Sequence, residues 1–361
     1  MRMKVLFISR DYRLKKDGGS AVVKRNLNLL KSLFNEVTEL IIPIPSVFTR
    51  IKNVVRKESY GSTSVLMEQV NRYLKEHYDL VFFDSSLYGG YLKLFAENKF
   101  KTCCFYHNIE YKYYKDKYAV SKKLQDRMMI PYVKYNEKLS TMYATYRITL
   151  NERDSLGLHN TYGKKADFLL PTSFDPVSVE SLNQNVIDNE LPYVLFVGSN
   201  FFANVEALEF LFKEVAPYLN CTIKIVGSVC NAFRNRKIPE NVILVGVVDD
   251  LSPYYVNACC VVAPIFSGSG LKTKTIEALR YGKNIVGTKE CFEGISQQYY
   301  PMIGKLCITA TDFITAINDN SFEKLNTNSL NLFKDLYSNK AQEDRFKSFL
   351  MENIYLKDKF E

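Results

Sequence analysis

The chain of 361 residues contains no tryptophan, only three histidines and no C-x-x-C pair among its eight cysteines. The histidines, His77, His107 and His159, lack the spacing of metal ligands, and most cysteines lie in apolar, strand-like runs. Such cysteines are typical of small core residues in a reducing compartment, not of a disulfide framework or a zinc site. We therefore predict that the protein requires no metal.

Long apolar runs are also absent. No run approaches the ~20 residues that a membrane-spanning helix needs. Residues 1–9 begin like a signal peptide, but Arg10 and Asp11 end the apolar stretch too early. These features predict a cytoplasmic protein.

Positive charge is concentrated in the first half of the chain. Residues 1–188 hold 30 Lys and Arg against 20 Asp and Glu, whereas the remainder holds 18 against 19. A basic half favours an anionic partner, although it can also serve solubility alone. Residues 46–62, predicted to be irregular, and 101–138 mix cations with apolar or aromatic side chains, which suits an anionic membrane surface. Solvated or core helices are the alternatives, and nucleic acid is disfavoured because no RNA- or DNA-binding motif accompanies the charge.

Apolar runs followed by a glycine turn and an amphipathic helix recur along the chain. The run 4–9 precedes Gly18 and Gly19, and the run 193–197 precedes Gly198 and Asn200. A third run, 222–226, leads to Gly227. Buried parallel strands produce such runs, so the length and the repetition predict an α/β protein with two doubly wound domains. A plain strand-to-helix turn explains the first glycines equally well.

The most informative stretch is residues 264–282. Gly268 and Gly270 allow a tight turn after an apolar run, and a helix is predicted from Thr273 to Tyr281, with Gly282 stopping it. A glycine turn at a helix amino end, with Lys272 and Lys274 beside it, suits a phosphate group. Glu277, one turn further, is placed to accept hydrogen bonds from ribose hydroxyls. Taken alone, the glycines favour an ordinary turn with a surface Lys274–Glu277 pair.

The block 264–295 as a whole resembles the donor-binding segment of the retaining glycosyltransferases of family 4, in the GT-B superfamily. Many members carry a further glutamate eight positions before the one matched by Glu277, and Ser269 stands there in this chain. Residues 107–110, His-Asn-Ile-Glu, resemble the His-Asn-x-Glu of exopolysaccharide-type members, in which the histidine lies beside the reacting sugar. The resemblance implies that His107 is catalytic and Glu110 an acceptor-side candidate. It also implies a set of donor-binding residues: Gly19, Gly198, Asn200, Gly227, Ser269, Gly270, Leu271, Lys272, Lys274 and Glu277.

The resemblance implies a GT-B fold, with two Rossmann-like domains facing a central cleft. We predict an acceptor-side domain at 1–185, a nucleotide-sugar-binding domain at 186–338 and a final helix at 339–361 that packs back towards the first domain. The linker is expected at 175–190, where Pro, Asn and Ser replace large apolar residues.

The implied activity is transfer of a sugar from a nucleotide-sugar donor to an acceptor hydroxyl with retention, in cell-surface polysaccharide or glycan assembly. The donor is a substrate, and no cofactor is expected. A glycan or lipid-linked acceptor and the inner face of the cell membrane are the other expected partners. A nucleotide-sugar epimerase is an alternative, although we locate no additional acid–base carboxylates for it. The second alternative is a membrane- or polyanion-binding protein with a degenerate nucleotide site. It stays open because Ser269 replaces the first glutamate of the family pattern.

Overall fold

The computed structural model describes residues 3–13, 18–178, 180, 182, 191–268, 272–319 and 324–355. Backbone contacts divide the chain into two compact units, Met1–Pro171 with Glu343–Glu361, and Thr172–Gln342. The predicted boundary at 185 and much of the predicted linker lie outside the described residues. Within these described ranges, each unit contains one sheet.

The sheet of the first unit has six parallel strands: β1 (Lys4–Arg10), β2 (Glu36–Ile42), β3 (Leu80–Phe83), β4 (Thr102–Tyr106), β5 (Tyr146–Thr149) and β6 (Phe168–Leu169). Their order is β2-β1-β3-β4-β5-β6. Every residue of β3 and β4 is buried, as expected for parallel strands covered on both faces. The strand order reverses between β1 and β3. Ligands of doubly wound sheets bind beyond the carboxyl ends of the strands at such a topological switch point.

The described helices of the first unit before its last strand are α1 (Gly18–Leu33), α2 (Val47–Arg56), α3 (Ser64–Tyr73), α4 (Gly89–Glu97), α5 (Glu110–Ser121), α6 (Leu124–Tyr143) and α7 (Glu152–Tyr162). Successive residues of a strand point to opposite faces, so β1 contributes to two cores. Val5 and Phe7 join one apolar cluster, and Leu6 and Ile8 join the other. Residues 47–56, predicted to be irregular, form a helix because Ser46 caps its first turn by accepting a hydrogen bond from the Thr49 N–H.

The second sheet also has six parallel strands: β7 (Tyr193–Val197), β8 (Thr222–Val226), β9 (Val242–Gly246), β10 (Cys260–Ala263), β11 (Asn284–Gly287) and β12 (Gly304–Leu306). Their order is β12-β11-β10-β7-β8-β9. This is the order of a dinucleotide-binding sheet, and its switch point lies between β7 and β10. The two parallel sheets confirm the predicted α/β class with two doubly wound units.

Seven further α-helices follow among the described residues: α8 (Phe202–Phe210), α9 (Ser252–Asn257), α10 (Thr273–Arg280), α11 (Tyr300–Ile303), α12 (Ala310–Asn318), α13 (Thr327–Leu336) and α14 (Asn339–Leu350). Gly282, with φ +62°, follows the end of α10, which confirms the predicted stop. Residues 330–350 do not form one continuous helix, because the chain breaks between α13 and α14. The Ser338 hydroxyl at the break accepts a hydrogen bond from the Ala341 N–H, which starts a new helix.

The last helix, α14, contributes to the first unit. Phe346 is fully buried in the apolar cluster that contains Val5 and Phe7. Its ring centroid lies 5.4 Å from that of Phe168 on β6. The side chain therefore covers one face of the first sheet.

Candidate functional site

A buried lysine occupies the switch point of the second sheet. Lys274, in the first turn of α10, follows β10, and Asn204, in the first turn of α8, follows β7. The Lys274 ammonium donates a hydrogen bond to Asn204 Oδ1 at 2.5 Å and lies 4.2 Å from the centre of the Phe196 ring. Asn204 Nδ2 donates to the Ser199 carbonyl at 2.8 Å, which orients the amide oxygen towards the lysine. One hydrogen bond thus links the helices that follow the two strands of the switch point.

The charge of this lysine is only partly balanced. Lys274 is 8% exposed, and burial lowers its pKa to about 7, with a smaller contribution from Lys272 in the same direction. Its hydrogen-bond partner, Asn204, is neutral. An anionic ligand at this point would restore the full charge of the ammonium, because an opposite charge favours the protonated form.

Glu277 lies one turn further along α10. Burial raises the pKa of its carboxyl group to about 7, against the opposing influence of Arg280, Tyr255 and Lys274. The Tyr255 hydroxyl is buried near this carboxylate, although no hydrogen bond of normal geometry joins them. A carboxylate in this state can accept hydrogen bonds from hydroxyl groups of a ligand, which would replace the water lost on burial.

The second predicted lysine has a different environment. Lys272 is the residue before α10, and its ammonium pairs with the Glu290 carboxylate at 2.6 Å. The positive end of the α10 dipole lies beside it. Lys272 therefore already has an anionic partner, whereas the hydrogen-bond partner of Lys274 is an amide.

Three further predicted residues lie together at the ends of β7 and β8. Gly227 has φ +112°, and a Cβ atom at this position would lie 2.2 Å from the Gly198 carbonyl oxygen. The Asn200 N–H donates to the Ser228 hydroxyl at 2.9 Å. Only glycine tolerates both the backbone angle and the close approach at position 227. Gly198, Asn200 and Gly227 are thereby brought to the edge of the sheet that carries Lys274.

The remaining predicted donor residues are placed as follows. Ser269, Gly270 and Leu271 lie outside the described residues. Gly268, just before them, has φ +119°, as a tight glycine turn requires. Gly19 lies in the first turn of α1, in the first unit.

The switch point of the first sheet holds a buried carboxylate. Asp84 follows β3, and its side chain is fully buried. It accepts hydrogen bonds from Asn26 Nδ2 on α1 at 2.6 Å and from His107 Nε2 at 2.9 Å. Arg25, also on α1, is 8% exposed; burial lowers its pKa to about 10, and the Asp84 charge opposes this effect. The predicted catalytic histidine is therefore part of a charged cluster at this edge.

The sequence alone did not indicate four residues of these sites: Asn26, Arg25, Asn204 and Glu290. Asn26 offered a signal, since it stands four residues from both Val22 and Leu30 on the apolar face of α1. A polar residue within an apolar helical stripe indicates a buried hydrogen bond. Asn204 opens the helix after a glycine turn and offered a similar, weaker signal.

No metal cluster is found in the described ranges: no group of three or more His, Cys, Asp or Glu side chains is placed to hold an ion. Within the same part of the chain, no helix is both long and apolar enough to cross a membrane.

Comparisons with known proteins agree with this architecture. Residues 191–319 match the family model described as glycosyl transferases group 1. No curated protein matches the chain in sequence.

Several solved structures are similar over almost the whole chain. Alr3699/HepE of Anabaena, in complex with UDP, is 13% identical with a TM-score of 0.67, over 97% of this chain and 100% of that chain. WaaG, a glycosyltransferase involved in lipopolysaccharide biosynthesis, is 14% identical with a TM-score of 0.63, over 95% and 98%. The lipopolysaccharide outer core galactosyltransferase WaaB, in its apo form, is 13% identical with a TM-score of 0.61, over 97% and 99%. The chain therefore has the predicted GT-B fold, and the segment of it that matches the glycosyl transferases group 1 model lies in the unit that holds Lys274.

Proposed function

We propose that this protein is a retaining glycosyltransferase that moves a hexose from a nucleotide-sugar donor to an acceptor hydroxyl in cell-surface polysaccharide assembly. The observation that carries the proposal is the buried Lys274, with a neutral partner, at the switch point of the unit that matches the family model. A doubly wound sheet binds its ligand at this point. A diphosphate supplies the negative charge that this ammonium lacks.

Each chemical group of the donor has a proposed partner at this site. The diphosphate lies against Lys274 and the amino end of α10, where the helix dipole favours an anion. The ribose hydroxyls donate to the Glu277 carboxylate. The structurally similar Alr3699/HepE was solved with UDP and with UDP-glucose, which makes uridine diphosphate sugars the first donors to test.

The difficult step of the reaction is departure of the diphosphate from the anomeric carbon. The bond from that carbon to the phosphate oxygen breaks, negative charge develops on the leaving oxygen, and the acceptor oxygen bonds to the same face of the sugar. The proton of the acceptor hydroxyl passes to the leaving phosphate oxygen. A buried ammonium already in position stabilises this charge without reorganisation of water. By the resemblance of residues 107–110, His107 is a further catalytic residue in this proposal, and no metal takes part.

The direct test is a screen of uridine, guanosine, adenosine and cytidine nucleotide sugars against the full chain. We expect at least one to raise the melting temperature, because a ligand that binds only the folded state stabilises it. We also expect release of the nucleoside diphosphate, and an NMR spectrum of the product in which the anomeric configuration of the donor is kept. Inversion would exclude the retaining mechanism, and conversion to a new nucleotide sugar would favour the epimerase alternative.

A Glu277→Ala variant separates the transferase from a membrane- or polyanion-binding protein with a degenerate site. Loss of donor turnover with unchanged vesicle binding is expected for the transferase. Unchanged turnover at saturating donor would remove Glu277 from the site.

An exposed apolar face on α2 favours the proposed membrane partner. Val47, Phe48, Ile51 and Val55 are 72%, 79%, 54% and 72% exposed. Their spacing places them on one side of the helix, so α2 presents its apolar face to solvent. Exposed basic residues accompany this face: Arg50, Arg56 and Lys57. An apolar stripe flanked by cations is suited to the surface of an anionic bilayer.

This partner is tested by sedimentation with phosphatidylglycerol or phosphatidylcholine vesicles. We expect binding to the anionic vesicles that weakens at high salt, and its loss in a Phe48→Ser/Val55→Ser variant. Ile308→Ser is the matched control, because Ile308 is 78% exposed in the second unit. Absence of binding at low salt would overturn the membrane proposal and leave the transferase proposal standing.

A further inference from the structure

His107 contacts the end of β3 through one ring nitrogen only. Nε2 lies 2.9 Å from Asp84 Oδ2 and 3.0 Å from the Asp84 carbonyl oxygen. Both are acceptors, so Nε2 must carry a proton. In the part of the chain that the structure describes, Nδ1 has no hydrogen-bond partner, and the side chain is 19% exposed. Nδ1 is therefore the nitrogen that remains for a ligand.

The Asp84 carboxylate has polar and charged neighbours other than His107. Asn26 Nδ2 donates to Oδ1 at 2.6 Å, and the attraction between Asp84 and the buried Arg25 guanidinium supplies a balancing positive charge. Arg25 Nε and Nη1 make no hydrogen bond to other described residues, so their charge is not neutralised by a closer partner. When the imidazole is neutral, a proton on Nε2 leaves the lone pair on Nδ1.

We propose that Asp84 is a positioning residue that holds His107 in the Nε2–H tautomer, so that Nδ1 accepts a hydrogen bond from a hydroxyl group of a ligand bound at this edge of the first sheet. Asn26 holds the carboxylate in place through its hydrogen bond. This inference rests on the proposed function for the identity of the ligand, but not for the tautomer. A carboxylate that fixes the tautomer and orientation of a histidine is a general device of active sites.

The same strand offers an internal control. Asp79, just before the amino end of β3, lies 3.4 Å from His77, whose side chain is 83% exposed. Asp79 accepts its closer hydrogen bond from the Lys4 N–H at 2.7 Å. This second Asp–His pair lies at the opposite edge of the sheet from Asp84, and its ring is largely exposed to solvent.

The tautomer is measured by ¹⁵N NMR of the full chain, which has only three histidines, with the His107 signals assigned from a His107→Gln variant. At a pH where the ring is neutral, we expect a protonated, pyrrole-type Nε2 and an unprotonated, pyridine-type Nδ1 for His107. Asp84→Asn should increase the share of the other tautomer, and Asp79→Asn should leave the His107 signals unchanged. A wild-type His107 protonated at Nδ1, or signals that Asp84→Asn does not alter, would overturn the proposal.

The rate of donor turnover is a second measurement that tests the role of Asp84. Asp84→Asn should lower kcat for the preferred nucleotide sugar at least about tenfold, with the donor KM changed by no more than about twofold, because the diphosphate is bound elsewhere. Asp79→Asn should retain wild-type kcat. If Asp84→Asn does not fold, Asn26→Ala, which leaves both charges in place, is expected to shift the tautomer and kcat in the same direction. Wild-type kcat in a folded Asp84 variant would overturn the inference and leave the proposed function intact, whereas a wild type without turnover would instead refute the proposed function.

Discussion

The two sheets place opposite charges at their topological switch points. In the first unit, the buried charge that Asn26 on α1 contacts is the Asp84 carboxylate, with the Arg25 guanidinium buried nearby. In the second unit it is the Lys274 ammonium, which Asn204 on α8 contacts. In both units the asparagine stands on the helix that follows the first strand. One doubly wound topology therefore supports different chemistry in the two units. The charge at each switch point decides which ligand group binds well there.

Loss of the cation at the second switch point should have the largest effect. In Lys274→Ala we expect kcat/KM for the donor to fall by about 10²–10³-fold, because a preorganised positive charge at the leaving group is lost. Release of nucleoside diphosphate under steady-state conditions measures it. Lys213→Ala is the control, since Lys213 is 84% exposed in the same unit. A Lys274 variant with activity within threefold of wild type would show that the charge at this point does not serve the donor.

Replacing Asn26 or Asn204 by aspartate tests whether the buried charges at the two switch points have opposite signs. Asn26→Asp places a second carboxylate 2.6 Å from Asp84 at a buried position, and should reduce the free energy of unfolding by about 3 kcal/mol. Asn204→Asp places a carboxylate against Lys274, which offsets the lost hydrogen bond to the Ser199 carbonyl, and should change the stability by less than about 1 kcal/mol. Urea denaturation measures both variants. Equal destabilisation would contradict the comparison, because it would mean that the local charges do not decide the outcome.

Two glycine substitutions test the close approach of the Gly227 and Gly198 backbones beside the second switch point. Gly227→Ala should reduce the free energy of unfolding by more than about 2 kcal/mol, because it combines a strained backbone angle with a collision against the Gly198 carbonyl. Gly246 has φ +92° but no atom within 4 Å of an added Cβ, so Gly246→Ala isolates the backbone strain, at about 1 kcal/mol. A loss at position 227 no larger than that at 246 would show that the two strand ends move apart easily.

The smallest effect is the pH dependence of donor binding. With a pKa of about 7 in the free protein, Lys274 loses its proton as the pH rises above 7, and a bound diphosphate raises that pKa. Binding then takes up a proton, so the affinity should fall with rising pH by at most about tenfold per pH unit. Below pH 7 the lysine is charged in both states and contributes no slope. Calorimetry in buffers of different ionisation enthalpy measures the uptake, which Lys274→Met should abolish.

Local sequence was sufficient to predict the elements that carry the site. Apolar runs that end in glycine turns indicated the two sheets, and residues 264–282 indicated α10 with Lys274 and Glu277 on it. These predictions succeeded because a strand, a turn and a helix start are specified by residues close together in the chain. The helix at 47–56 was missed, although its capping serine, Ser46, is visible in the sequence.

Only the tertiary structure decided which of these residues meet. Asp84 and His107 are 23 residues apart, Asn26 and Asp84 are 58 apart, and Lys274 and Asn204 are 70 apart. Strand order brings each pair to one edge, and strand order depends on how the whole chain buries its apolar faces. Burial removes solvent from Asp84 and Lys274. The neighbouring side chains therefore determine the tautomer of His107 and the charge of Lys274. The chain by itself therefore determined the kinds of group available, and the fold determined which of them act together.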